Sequence, residues 1–279
     1  MPIVLRTLAL LLAAATLAAS PAEPPSTIPS RDVDLEVVAK DGVVLRGIVA
    51  IPDLENGPGG PRRWPVAILV PPQFRPRSAL VPLSDALARA GIASALLDLR
   101  GQGDSMTTRE HQLYSGQLLP PGYLRLAAGD AAPVLEALAK IPELDPSRVA
   151  LVGVAQGALV AAAAAAAMPE ARGLVMVDAV ESLGGLSAER DLGLLGTRPA
   201  LLLCSGFPVS KERATALAEY GLGERTVRCV GEFFSGAALL AEGSPGTAAV
   251  ASWLSGVLAL PAPAPPGGGE AAPSAPERR

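Results

Sequence analysis

One stretch of the chain decides the fold: Val149-Ala150-Leu151-Val152-Gly153-Val154-Ala155-Gln156-Gly157-Ala158, which an alanine-rich segment follows. A short, unbroken apolar run predicts a buried strand. Gly153 and Gly157 predict a tight turn at which two backbones approach closely. The small side chains that follow predict a helix to about Met168 that packs tightly on a sheet. We therefore expect a strand, a turn and a helix, with Ala155 at the corner in a backbone conformation of positive φ.

Apolar runs alternate with helical patterns on both sides of this corner, which predicts an α/β domain with a mostly parallel sheet. Two strands about the Lys40-Asp41-Gly42 turn form a hairpin. Pro133 marks the start of a helix or a kink in one. The predicted strands are 32–39, 43–51, 64–70, 92–98, 149–154, 173–178, 199–204 and 225–230, and the predicted helices lie near 79–90, 123–140, 156–168, 209–220 and 245–258. The twenty residues between 178 and 199 leave room for one short helix and no lid domain.

Composition limits the classes of function. The chain has 279 residues, 49% of them hydrophobic and 18% charged, which suits one large domain. Its formal charge of −4 comes without any cluster of Lys and Arg, so we expect no nucleic-acid partner. The sequence predicts neither a metal site nor a cofactor.

The two ends of the chain differ from its middle. Arg6, an apolar run over Thr7–Ala19 and small residues after it predict a signal peptide over 1–22. A Pro/Ser-rich spacer over 23–30, a domain over 31–260 and a disordered tail over 261–279 follow. We therefore expect an exported protein, periplasmic or secreted, with no stable membrane span after cleavage; an uncleaved anchor is the alternative.

Cys204 and Cys229 are the only cysteines. Export would place them where a disulfide persists. Both lie in predicted core strands, so two buried free thiols are an equally open interpretation.

Three features of the chain resemble the α/β-hydrolase superfamily, and its dienelactone-hydrolase and serine-aminopeptidase-like branches most of all. They are the Gly153-x-Ala155-x-Gly157 corner, the Asp98-x-Arg100-Gly101-x-Gly103-x-Ser105 loop after the fourth strand, and Trp253-Leu254 near the end of the last helix. The resemblance implies a three-layer αβα sandwich around an eight-stranded, mostly parallel sheet. A generic doubly wound domain is the alternative.

The resemblance also implies where a Ser-His-Asp triad would lie, and none of its members is present. Ala155 occupies the nucleophile position, and a methyl group cannot attack a carbonyl. Ser235 aligns with the histidine. The acid position falls at Pro208, or at Phe207 or Val209 with a shift of one residue, and Asp178 after the sixth strand is a possible substitute. Without a histidine to orient, Asp178 is better interpreted as structural. The sequence thus indicates a pseudohydrolase.

The oxyanion loop and the only histidine determine whether any hydrolytic activity could remain. The oxyanion loop after the third strand reads Pro71-Pro72, which lacks N–H groups, so the amides of Gln73 and Gln156 would have to form the hole. The only histidine, His111, lies in the wrong connection for the family's base.

The phenylalanines suggest what replaced catalysis. Phe74, Phe207, Phe233 and Phe234 follow the third, seventh and eighth strands, whose carboxyl ends share one edge of the sheet. They line a pocket for a small apolar ligand, or they plug the vacated site. We expect a binding or interaction module for such a ligand or a protein partner. The alternatives are a hydrolase of carboxylester or dienelactone type, rewired around His111, Ser235 or Cys204, and a purely structural envelope protein.

Overall fold

The computed structural model describes residues 30–53, 63–110, 112, 122–231 and 234–259. The predicted signal peptide, nearly all of the spacer and the predicted tail lie outside the described residues, as do His111 and Phe233.

An antiparallel hairpin comes first. β1 (Ser30–Val38) and β2 (Val43–Pro52) pair from Ser30 opposite Pro52 to Val38 opposite Val44. Gly42, with φ of 86°, makes the turn at the position where the sequence predicts one. The hairpin confirms the expected start of the domain.

Six further strands extend this hairpin into a sheet. They are β3 (Trp64–Val70), β4 (Ala93–Leu97), β6 (Leu144–Val154), β7 (Ala171–Val177), β10 (Ala200–Cys204) and β11 (Arg225–Cys229). The spatial order is β1-β2-β4-β3-β6-β7-β10-β11. The strands from β4 to β11 run parallel, and β2 is antiparallel to both of its neighbours. The predicted eight-stranded, mostly parallel sheet is therefore confirmed.

Three strands of two residues each were not predicted from the sequence, because two residues are too few to show the alternation of apolar and polar side chains. β5 (Thr107–Thr108) pairs with β2, while β8 (Ser182–Leu183) and β9 (Leu186–Ser187) pair with each other. Every residue from Asp178 to Pro199 is described, and this connection holds only the β8-β9 hairpin and one short helix. The expected absence of a lid domain between β7 and β10 is confirmed.

Helices cover both faces of the sheet. They are α1 (Val81–Arg89), α2 (Tyr123–Gly129), α3 (Ala131–Leu138), α4 (Gln156–Ala167), α5 (Ala188–Leu194), α6 (Pro208–Leu217) and α7 (Pro245–Ala259). α1 and α7 pack into one apolar core with alternate side chains of the strands, and α2 to α6 pack into a second core on the other face. Both faces of each central strand are buried, which is why these strands read as unbroken apolar runs. The three layers match the predicted sandwich.

The single helix expected near 123–140 is wrong, because two helices meet there at Asp130. Pro133 lies in the first turn of α3 and has no N–H to donate to the carbonyl of Gly129, so the helical ladder cannot run through. The break places the carboxylate of Asp130 beside a buried guanidinium, described below.

A disulfide joins Cys204 and Cys229 at the carboxyl ends of β10 and β11, where the two residues lie opposite each other with Cα atoms 4.4 Å apart. The alternative of two buried free thiols is wrong. Cys204 is buried, but Cys229 is exposed because β11 is an edge strand. The bridge therefore ties the last strand to the interior of the sheet.

Candidate functional site: a nucleophile elbow without a nucleophile

The elbow forms where the sequence predicts it. β6 ends at Val154, α4 begins at Gln156, and Ala155 between them has φ 52° and ψ −116°. The amide of Ala155 donates a hydrogen bond of 2.9 Å to the carbonyl of Val177 on the neighbouring strand. The expected positive φ is confirmed, and this strained corner presents the Ala155 methyl group at the carboxyl edge of the sheet.

Close packing explains the two glycines. A Cβ atom on Gly153 would lie 2.6 Å from the Cα atom of Ala158, and one on Gly157 would lie 2.7 Å from the carbonyl oxygen of Val70. Neither position can hold a side chain while the helix stays this close to β6 and β3. The glycine spacing is thus required by the corner itself, whatever residue 155 is.

We expect the Ala155→Gly substitution to raise the free energy of unfolding by about 0–2.5 kcal/mol. A non-glycine residue in this conformation is strained by about 1–3 kcal/mol, and glycine relieves that strain. Glycine also makes the unfolded chain more flexible, which lowers the stability of the fold by about 0.5–1 kcal/mol. The matched control is Ala158→Gly inside α4, which should lower stability by about 1 kcal/mol or more. Urea denaturation measures both. Equal losses in the two variants would contradict the strain at the corner.

Ser235, which the sequence aligns with the histidine, is an exposed residue in the loop after β11. The acid position holds Pro208, the first residue of α6, with Phe207 before it and Val209 after it. None of these side chains can act as a general base at neutral pH. The structure therefore brings the predicted triad positions to the same edge of the sheet without the groups that the triad needs.

Asp178 follows β7, and both of its carboxylate oxygens have hydrogen-bond donors. Ser210 Oγ donates to Oδ1 at 2.8 Å, and the amide of Gly236 donates to Oδ2 at 2.8 Å. These bonds fix the start of α6 and the loop that carries Ser235. This geometry fits the structural role expected for Asp178, because the carboxylate anchors the two loops that would supply the acid and the base.

Two free backbone amides border the corner. Within the part of the chain that the structure describes, neither the amide of Gln73 nor that of Gln156 has a hydrogen-bond acceptor. The contact between Gly157 and the Val70-Pro71 backbone brings the loop after β3 against the start of α4. The two donors expected to form an oxyanion hole thus remain available.

Three of the four phenylalanines lie within the described residues and are exposed. Phe74, Phe207 and Phe234 expose 64%, 39% and 58% of their surface. Phe74 also has a φ of 64°. The exposure of Phe74 and Phe234 does not fit a packed aromatic plug. A cavity of about 40 Å³ lies between the sheet and the α2-α3 pair, and none of the described phenylalanines lines it. Phe74, Phe207 and Phe234, the described members of the proposed pocket lining, follow strands that end at the same edge of the sheet as the elbow.

The loop from Asp98 to Ser105 has a structural role that the sequence does not reveal. The buried carboxylate of Asp98 accepts hydrogen bonds from the amides of Arg77 at 2.7 Å and Asp104 at 3.0 Å, and it also contacts the Arg77 guanidinium. Ser105 Oγ donates to the carbonyl of Asp98 and accepts from the amide of Arg46. The loop thereby ties β4 to β2 and to the loop after β3.

Arg100 in the same loop is a deeply buried cation, with 3% of its surface exposed. Its Nε and Nη2 atoms contact the Asp130 carboxylate at 2.8 and 2.5 Å, and Nη1 contacts Asp41 at 2.5 Å. Burial raises the pKa of Asp130, which the guanidinium only partly offsets. Burial acts in the same direction on Asp41, but hydrogen bonds from Arg100 and from backbone amides outweigh it and lower the pKa of Asp41.

No group of three or more His, Cys, Asp or Glu side chains that could hold a metal ion occurs in the described ranges. Across those same ranges, every helix is too short or too polar to cross a membrane.

The strand order and the strained elbow define an α/β-hydrolase fold. Solved structures agree. A dienelactone hydrolase from Anabaena variabilis is 19% identical, with a TM-score of 0.62 over 82% of this chain and 96% of its own. The α/β hydrolase GrgF from Penicillium sp. is 16% identical, with a TM-score of 0.64 over 82% and 100%. An esterase from Rhizomucor miehei is 15% identical, with a TM-score of 0.64 over 84% of each chain.

This protein therefore has the α/β-hydrolase fold, which it shares with these three hydrolases. No protein-family model and no curated protein matches the sequence.

Proposed function

We propose that this chain is an exported, non-catalytic binding or interaction module built on the α/β-hydrolase fold. One observation carries the proposal: a methyl group, that of Ala155, stands on the corner that positions the nucleophile in such enzymes. Two further observations support it. Ser235 and Pro208 stand at the positions that the sequence aligns with the histidine and the acid, and both carboxylate oxygens of Asp178 already accept hydrogen bonds. A hydrolase that loses its triad loses about 10⁶ in rate, even when its oxyanion hole is intact.

Two features support export. The N-terminal residues have the pattern of a signal peptide. The Cys204–Cys229 disulfide suits an oxidising compartment, where such bridges persist.

The alternative of a rewired hydrolase would need another nucleophile. Cys204 does not suit this role, because its sulfur is bonded to Cys229 and the residue is buried. Ser235 is exposed and can be tested directly.

The test uses the purified protein without residues 1–22, short-chain p-nitrophenyl esters and a fluorophosphonate probe. We expect the wild-type protein to hydrolyse the esters no faster than the Ser235→Ala variant does. We also expect the fluorophosphonate probe to label no serine in either protein. The apolar surface around the elbow should meanwhile bind a hydrophobic dye such as bis-ANS, and Phe74→Asp should weaken that binding. Labelling of the wild-type protein at Ser235, with loss of turnover in Ser235→Ala, would establish the rewired hydrolase instead.

A further inference from the structure

The turn that follows β3 has a strained backbone. The amide of Arg75 donates a hydrogen bond of 3.1 Å to the carbonyl of Pro72, which closes a β-turn. Gln73 and Phe74 form its centre. Phe74 has φ of 64°, whereas Gln73 is not among the described residues of positive φ. A negative φ followed by a positive one defines a type II turn, which favours glycine at the position that Phe74 occupies. A phenylalanine there is therefore strained.

The buried side chain of Gln102 holds this turn in its strained form. Its Oε1 atom accepts a hydrogen bond of 2.5 Å from the amide of Phe74, and only 6% of the residue is exposed. Its Nε2 atom is buried and has no hydrogen-bond partner in the part of the chain that the structure describes. A buried donor without an acceptor destabilises a fold, and native structures contain few of them. Backbone strain and an unpaired donor therefore meet at one hydrogen bond.

A type I turn over the same four residues would relieve both features. The two turn types differ by a rotation of about 180° of the central peptide group, here the one between Gln73 and Phe74. In the type I turn the φ of Phe74 is negative, at about −90°. The rotation carries the carbonyl of Gln73 to the side where the Phe74 N–H now lies, so that it faces Gln102. After a half-turn of the Gln102 carboxamide, Nε2 can donate to that carbonyl.

The two ends of the turn are fixed, and the rotation leaves them in place. Before the turn, the backbone of Pro71 packs so closely on α4 that a Cβ atom on Gly157 would lie 2.3 Å from the Pro71 carbonyl oxygen. After the turn, the amide of Arg77 donates a hydrogen bond of 2.7 Å to Asp98. Both turn types bring these ends equally close and close with the same hydrogen bond. Among the described residues no donor holds the carbonyl of Gln73, so the rotation breaks only the bond to Gln102.

We infer that the peptide group between Gln73 and Phe74 is a two-state switch, and that Gln102 pairs with it in both states. In the type II state Gln102 accepts a hydrogen bond from the amide of Phe74. In the type I state it donates one to the carbonyl of Gln73. On the side of the turn away from Gln102, the flip replaces a carbonyl by an N–H group. The loop beside the elbow thus offers a hydrogen-bond acceptor in one state and a donor in the other.

Nuclear Overhauser effects (NOEs) in the isotope-labelled protein tell the two states apart. In a type II turn the Gln73 Hα atom lies close to the amide proton of Phe74, whereas in a type I turn the amide protons of the two residues lie close together. We expect both NOEs in the wild-type protein. Phe74→Gly and Phe74→Ala are a matched pair, because both remove the ring and only glycine adopts a positive φ without strain. The ratio of the amide–amide NOE to the Hα–amide NOE should be lower in Phe74→Gly than in Phe74→Ala, by about fivefold or more.

Gln102→Met tests the partner of the switch. Without Oε1 nothing offsets the strain at Phe74, so the amide–amide NOE should dominate. Thermal melting checks that this variant folds, and the pair of variants at the exposed Phe74 decides the matter if it does not. Three results would overturn the inference: either NOE missing from the wild-type protein, equal ratios in Phe74→Gly and Phe74→Ala, or an unchanged ratio in folded Gln102→Met. All are measured without ester or ligand, so the switch and the proposed function fail separately.

Discussion

Replacing Arg100 with methionine is expected to lower the free energy of unfolding by about 3–5 kcal/mol. Methionine preserves much of the length and the apolar contacts of the side chain, but it leaves the Asp130 carboxylate buried without a cation. An unpaired buried charge costs far more than the loss of an exposed ion pair. Guanidinium denaturation, followed by circular dichroism, measures the change.

Two variants separate the possible causes of that loss. Arg100→Lys keeps the positive charge but lacks the planar guanidinium group. It should therefore lower the free energy of unfolding by less than Arg100→Met does. Asp41→Asn removes the charge of the half-exposed carboxylate that pairs with Arg100, so it should lower the free energy of unfolding by about 1 kcal/mol or less. If Arg100→Met were no more damaging than Asp41→Asn, the buried contact with Asp130 would not stabilise the fold.

The effect of Arg100→Met should also depend on pH. Asp41 has a lowered pKa in the folded state, so its contribution is present above pH 3.8 and is lost as the pH falls through the folded value. Asp130 has a raised pKa, so its contribution has the opposite sign: it favours the folded state at low pH and is lost as the pH rises from 3.8 through the folded value. Without Arg100 both carboxyl groups protonate more readily. The difference in stability between wild type and variant should therefore be largest at pH 7 and shrink as the pH falls, first above pH 3.8 as Asp130 protonates in the variant and then below it as Asp41 protonates.

Removing the disulfide with Cys204→Ser and Cys229→Ser together should lower the free energy of unfolding by about 3 kcal/mol. The bridge closes a segment of 25 residues and restricts the unfolded chain accordingly. For a domain of this size the melting temperature should fall by about 6–12 °C. β11 depends on this bridge more than a central strand would, because among the described strands it pairs with β10 alone.

Reduction of the wild-type protein with a dithiol is the matched experiment, since it opens the same bridge without a substitution. The double variant should be insensitive to the reductant. If reduction left the melting temperature unchanged, or if the double variant melted with the wild type, the bridge would contribute nothing to stability.

The central strands and the elbow were predictable because their causes are local. Val149–Val154 is buried on both faces and so reads as an unbroken apolar run, and Gly153 and Gly157 mark backbones in contact. The positive φ of Ala155 follows from the same turn. The loops that meet at the carboxyl edge of the sheet were predictable because the order and direction of the strands fix them.

Other features depend on contacts distant in sequence. Nothing near Arg100 indicates that it joins Asp41 to Asp130, 59 residues before it and 30 after it. The pairing of Cys204 with Cys229 needs the parallel register of β10 and β11, which the sequence leaves open. Phe74 has a backbone conformation that a phenylalanine rarely adopts, and no local pattern predicts it.

Three residues of positive φ other than glycine occur in the described chain, namely Phe74, Ala155 and Asp178, and they follow the neighbouring strands β3, β6 and β7. The shape of the corner is therefore imposed by the surrounding sheet and not by the side chain at residue 155. A serine there would need no movement of the main chain. A substitution at residue 155 would therefore change the chemistry of the corner, whereas one at Gly153 or Gly157 would change its shape.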